Sequence, residues 1–160
     1  MNVFDKARKV IKPTDRIIVS SRDIKKIRSI PSQEPGYKPT GLWYGIGTSW
    51  IDWLQSEEPE WMKEKLYKIE INNSVMRIRT KKEFVDFSKK YGILPSYLTT
   101  RDPKHVDIDW PAVAKTYTGI EINPYQHSMR LAYSWYYTWD VASGCIWNVS
   151  AVKKWFRTTL

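Results

Sequence analysis

Lys65-Leu-Tyr-Lys-Ile-Glu-Ile71, Asn72-Asn-Ser74, Val75-Met-Arg-Ile-Arg79 and Thr80-Lys-Lys-Glu-Phe-Val-Asp-Phe-Ser-Lys-Lys-Tyr-Gly92 follow one another directly. The first segment alternates apolar and polar residues as a half-buried strand does. Asn72-Asn73 supplies a turn, and Val75–Arg79 reads as a second strand, so the two are expected to pair as a hairpin. Thr80 and Glu83 then stand at capping-box spacing, and Phe84, Phe87 and Tyr91 share one helical face up to a stop at Gly92. A strand period that gives way to a helical period over so short a stretch is the pattern of an α+β domain.

Upstream, residues 1–15 predict a short polar helix broken at Pro13, and Arg16-Ile-Ile-Val-Ser20 is a β-branched run of strand length. Ser21–Arg28 spaces Ile24 and Ile27 three apart among basic residues, which predicts a short amphipathic basic turn or helix. Pro31, Pro35, Gly36 and Pro39 then enforce a loop long enough to carry function. Gly41-Leu-Trp-Tyr-Gly-Ile-Gly47 predicts a second strand and turn. Thr48 or Ser49 is placed to cap a helix from about Trp50, with Trp50, Trp53, Leu54 and Trp61 along one side. Asp52, Glu57, Glu58 and Glu60 make this the one acidic region.

Downstream, Trp110–Tyr117 predicts a short helix with Pro in its first turn, and Gly119-Ile-Glu-Ile122 a strand. Leu131–Trp147 reads as one or two aromatic strands around a Gly, and the tail Ala151–Arg157 is basic. The expectation is one domain, 1–160, with a small split antiparallel or mixed sheet, two or three helices and a Trp/Tyr-rich core.

Composition narrows the classes. Hydrophobic residues make 42% of the 160, with 9 Trp and 10 Tyr, which excludes a disordered chain. Lys and Arg number 26 against 17 Asp and Glu, a formal charge of +9 that points to nucleic acid or another polyanion as partner. No signal-peptide core and no apolar run of membrane-spanning length is present, so a cytoplasmic protein without a membrane partner is expected. Cys145 is the single cysteine, so no internal disulfide forms, and its apolar surroundings favour packing over a nucleophilic pairing with His127. His105 and His127 lack paired ligand spacing, and no metal site is expected. Walker A, GxGxxG, CxxC, HExxH and GxSxG motifs are absent.

Glu121 interrupts an apolar strand, so its carboxylate must either face solvent by alternation or point into a cleft. Arg16 on the first strand, Trp43-Tyr44 and Thr48-Ser49 around the second, the Leu66–Thr80 segment with its following helix, and the late-strand Glu121 together form a layout. It resembles the split-sheet fold of ADP-ribosyltransferases and RNA 2′-phosphotransferases. The resemblance implies NAD as cofactor, with Arg16 or Arg22 near its phosphates and Tyr44, beside Trp43, stacking on nicotinamide. Thr48 and Ser49 would act in support, and Glu121 would be the catalytic carboxylate at the ribose. The acceptor would be nucleic acid or a host protein. Gly41–Gly45 and Trp139–Trp147 also resemble segments of small phage and bacterial proteins, which implies a viral or accessory-gene origin.

Two readings without catalysis use the same residues. In one, Trp43, Tyr44, Trp135, Tyr136 and Tyr137 stack the bases of a single-stranded nucleic acid while cations follow its backbone. In the other, exposed Trp and Arg anchor an inhibitor on a host enzyme.

Overall fold

Arg16–Ser20 (β1) lies between Leu42–Ile46 (β2) and Lys65–Ile71 (β3), antiparallel to both, in a computed structural model that describes residues 1–160. The strands Val75–Ile78 (β4), Gly119–Ile122 (β7), Ser143–Ile146 (β8) and Val152–Thr159 (β9) complete a seven-stranded sheet in the order β4-β7-β8-β2-β1-β3-β9. Only β4 and β7 run parallel. Gly92–Ile93 (β5) and Asp107–Ile108 (β6) form a separate two-stranded ladder. The architecture is α+β, as expected.

Three helices have eight residues or more: Val3–Val10 (α1), Ser49–Glu57 (α2) and Lys81–Tyr91 (α3). Trp110–Ala114 (α4) and His127–Arg130 (α5) add short turns of helix. Asn2 caps α1 by accepting from the Asp5 amide, and Thr80 caps α3 by accepting from Glu83 N at 3.1 Å. The Glu83 carboxylate reaches back to Arg79 N at 3.0 Å, one residue beyond the N-cap amide that a true capping box would engage. Thr48 holds the N-cap place of α2, but its hydroxyl donates to Asp52 instead of accepting from the backbone.

The expected hairpin of Lys65–Ile71 with Val75–Arg79 does not form. Both edges of β3 are taken, by β1 and by β9, and β4 pairs with β7 at the other end of the sheet. Asn72 turns the chain by accepting from Ser74 N at 2.9 Å. Alternation identified both strands but carries no information on which neighbour fills an edge. The sheet curls strongly enough that Ile69 and Ile71 of β3 share an apolar cluster with Val75 of β4, although these strands stand sixth and first in order.

The curl gives the sheet an inner face, with Tyr44, Ile46, Ile69, Ile71, Val75 and Ile146, and an outer face covered by two separate layers. Over β1 and β3, helices α1 and α2 bury Ala7, Ile11, Ile51 and Leu66 with Ile17. Over β4 and β7 lies the aromatic core, where Trp110, Trp135, Trp139, Tyr136 and Phe84 are wholly buried around Ile78, Ile120 and Ile122. The aromatic tract Leu131–Trp147 feeds this core as a 3-10 turn, Ser134–Tyr136, and reaches strand geometry only at Ser143. Closely spaced large rings all bury when the chain coils, whereas a strand would turn alternate rings outward. Ser21–Arg28 is likewise neither turn nor helix; it runs irregularly along the inner face, with Ile27 buried and Ile24 N donating to the Tyr67 hydroxyl at 2.8 Å. No helix is long and apolar enough to cross a membrane.

Candidate functional site

Strand register sorts the candidate residues onto the two faces. Arg16 pairs with Ile46, Tyr44 with Gly144, and Gly144 and Arg77 with Glu121, so Arg16, Tyr44, Arg77 and Glu121 all point to the inner face. Three of the residues named from the sequence thus meet. Arg16 grips the Glu121 carboxylate through two hydrogen bonds, Nε to Oε1 at 2.5 Å and Nη2 to Oε2 at 3.2 Å. The Tyr44 hydroxyl donates to Oε1 at 2.9 Å, and Arg77 Nη1 stands 3.8 Å from Oε2. Gly144 makes this approach feasible, since a Cβ there would lie 2.3 Å from the Tyr44 ring.

The electrostatics follow from burial. Glu121 is 4% exposed and Tyr44 2%. Burial, reinforced by the adjacent carboxylate, pushes the Tyr44 hydroxyl well above its ordinary pKa, so it stays protonated and donates. Burial alone would lower the Arg16 pKa, but the hydrogen bond and charge of Glu121 outweigh it and hold it above the ordinary value. Two guanidiniums converge on one carboxylate, and Arg77 Nε is buried without a hydrogen-bond partner. Oε1 accepts from Arg16 and Tyr44 and Oε2 from Arg16, while Arg77 contributes charge at 3.8 Å without a hydrogen bond. Chemically this is an ionic anchor, tying β7 to β1, β2 and β4.

The outer face offers a different arrangement. Between the two covering layers, above β1, β2 and the start of β8, lies a cleft of about 320 Å³. Trp43, Trp50 and Trp139 wall it, and Lys38, Asp140 and Ser143 supply its polar groups. Trp43 meets Trp139 edge to face at 4.9 Å, and Lys38 Nζ lies 5.4 Å from the Trp43 ring centre. Gly45 forms the floor: a Cβ there would stand 2.7 Å from Cβ of Trp50, so its absence lets α2 settle on the sheet. Asp140 is held from behind by Arg130, Nη2 to Oδ1 at 3.2 Å, and is 29% exposed. Burial lowers the Lys38 pKa, and the charge of Asp140 only partly restores it.

The remaining candidates serve elsewhere. Ser49 Oγ donates to the carbonyls of Ile46 and Ala142, which fastens α2 to β2 and the approach to β8. Thr48 binds Asp52. Arg22 is exposed past the end of β1, away from both the cleft and the anchor, so it does not join Arg16. Of the five rings proposed to stack bases, Trp135 and Tyr136 are wholly buried and Tyr44 nearly so; only Tyr137, 55% exposed, and half-buried Trp43 can be reached. Burial pushes the Cys145 thiol up, in keeping with packing.

Sequence reasoning missed Asp140 and Lys38. A signal for Asp140 existed, because it is the only charged residue between Leu131 and Trp147. Lys38 had none beyond its place in a Pro-rich loop. Comparison of the chain with protein-family models, with curated proteins and with solved structures finds no match.

Proposed function

We propose that the chain is an NAD-using enzyme of the ADP-ribosyltransferase type whose ligand lies in the Trp43–Trp50–Trp139 cleft, with Asp140 as its carboxylate. One observation carries this reading: three indole walls, a cation and a carboxylate converge on one concave site of about 320 Å³. That size falls in the range of small-molecule pockets, and flat aromatic walls with few polar groups are what a base-bearing ligand requires. The donor set fits NAD. The indoles suit its aromatic rings, Lys38 its pyrophosphate and Asp140 its ribose. Bound NAD would supply a nicotinamide leaving group on an electrophilic ribose carbon.

The chain's own residues do the rest. Asp140 places negative charge where positive charge develops as the glycosidic bond lengthens, and Arg130 fixes its orientation from outside the cleft. Lys38 contributes a point charge at the mouth, strengthened by partial desolvation. The indoles exclude water from the reacting centre. Glu121, the carboxylate favoured by the sequence pattern, keeps the strands together on the opposite face and touches no part of the cleft.

Nicotinamide release from NAD by the purified protein, with and without RNA, single-stranded DNA and cell lysate, tests the proposal. Release should fall at least a hundredfold in Asp140→Asn, with the melting temperature within a few degrees of wild type. No release under any condition, together with no thermal shift on adding NAD, would sink it.

A further inference from the structure

The formal charge of +9 is not spread evenly over the molecule. Arg22-Asp-Ile-Lys-Lys-Ile-Arg28 and Lys153-Lys-Trp-Phe-Arg157 hold seven cations against Asp23 alone, a net +6 of the total +9. The fold joins these distant segments. Trp155 Nε1 donates to the Ile24 carbonyl at 3.4 Å, and Arg157 pairs with Asp23 at 2.5 Å. Ser29 accepts from Val149 N at 2.9 Å, in the turn that precedes β9, so the loop runs beside that turn and the strand. Arg22, Lys25, Lys26, Arg28 and Lys153 are exposed and enter no ion pair.

Two further features mark the patch. Strand β9 ends the sheet, so its outer edge has no partner strand. Trp155 and Phe156 stand on opposite sides of it, 36% and 44% exposed, and Trp155 is fixed in orientation by its bond to Ile24. Lysines on an edge strand serve to prevent edge-to-edge pairing, but that role needs no second row of cations on a neighbouring loop and is opposed by two exposed aromatic rings. The same charges repel a second copy of the edge. Cations in a row beside a fixed, half-exposed indole match a phosphate backbone whose bases are free to stack.

We infer that the loop Arg22–Arg28 and strand β9 form a binding surface for single-stranded nucleic acid, with Trp155 as a stacking platform. A duplex hides its base faces and would gain only the phosphate contacts. The surface lies on the sheet edge and inner side, away from the Trp43–Trp50–Trp139 cleft, and rests on no part of the NAD reading.

Fluorescence anisotropy of a labelled 20-mer single strand, titrated at several salt concentrations, tests the inference. The single strand should bind at least about tenfold more tightly than the matching duplex and than polyglutamate. Trp155→Ala should weaken single-strand binding about tenfold, as loss of one stacked base does, and leave duplex binding unchanged. Lys25→Ala with Lys26→Ala should reduce the slope of log affinity against log salt by about 1.4, since each lost phosphate contact removes about 0.7. Lys89→Ala with Lys90→Ala, on the exposed side of α3, should leave that slope unchanged. Circular dichroism and melting curves check folding, and Trp155→Phe recovers most of the affinity if the ring stacks. Equal binding of single strand, duplex and polyglutamate, or an equal loss from the α3 pair, would overturn the inference. Nicotinamide release should be the same in all these variants when no nucleic acid is present.

Discussion

The two faces of the curled sheet each carry a carboxylate beside an arginine, and they differ in what surrounds the pair. On the inner face Glu121 meets Arg16, Arg77 and Tyr44 and is 5% exposed in its side chain, and the unpartnered Arg77 Nε beside it is itself buried. On the outer face Asp140 has Arg130 behind it and an open cleft in front. A charge with all its partners in place stabilises a fold; a charge held in position but left accessible can act on something else. The contrast teaches that a lone carboxylate in an apolar strand locates a buried polar network before it locates a reaction.

The largest expected effect lies on the inner face. Glu121→Gln removes the only negative charge between two guanidiniums that are 22% and 20% exposed, and neutralising one partner of a buried pair costs up to about 3–5 kcal/mol. For a chain of this length that corresponds to a fall in melting temperature of about 10 °C. Nicotinamide release by the fraction that stays folded should be close to wild type at 20 °C. Calorimetry and the release assay on the same sample decide the matter: an unchanged melting temperature with lost activity would restore Glu121 to the catalytic role and reverse the comparison.

A smaller effect lies in the cleft wall. Trp43→Leu keeps an apolar side chain against Trp139 but removes the flat ring that Lys38 overlies. Affinity for NAD should weaken about tenfold, the loss of one good stacking contact. The melting temperature should move by no more than a few degrees, because Trp43 is only half-buried. Isothermal titration beside a melting curve separates the two. A large loss of stability with unaltered affinity would make Trp43 a core residue and leave the cleft without a base-binding wall.

How much of this could be read from the sequence follows from the kind of information each step needs. The strands Arg16–Ser20, Leu42–Ile46 and Lys65–Ile71 and the helix Lys81–Tyr91 were legible because period and capping are local. The partner of β4 was not, since a parallel pairing with β7 depends on how the whole sheet curls. Arg16, Tyr44 and Glu121 were named together and do meet. Whether they face a cleft depended on which layers cover which face, and strand alternation alone is silent on that. Asp140 lies inside an aromatic tract whose composition predicts strand, and strand alternation gives no sign of a cleft there. The coiled turn at Ser134–Tyr136 is what brings it to the mouth of the cleft.

The finest test of the contrast uses pH. Burial lowers the Lys38 pKa despite the nearby Asp140, so this lysine loses its charge at lower pH than an ordinary one. Two consequences have opposite signs. Because the unfolded chain holds the proton more tightly than the folded one, stability rises slightly as pH increases through the folded value toward the unfolded one. Ligand affinity does the reverse: the pyrophosphate keeps its charge over this range while its cation is lost, so NAD should bind a few-fold more weakly at the upper end. Lys38→Arg, which stays protonated throughout, should flatten the affinity profile. Titration calorimetry on both proteins, from neutral pH up to the ordinary lysine value of 10.5, reads this directly. Parallel profiles for the two would remove Lys38 from the ligand, whereas a slope confined to the wild type would place the pyrophosphate at the mouth of the outer cleft, since the inner cations are arginines that do not titrate in this range.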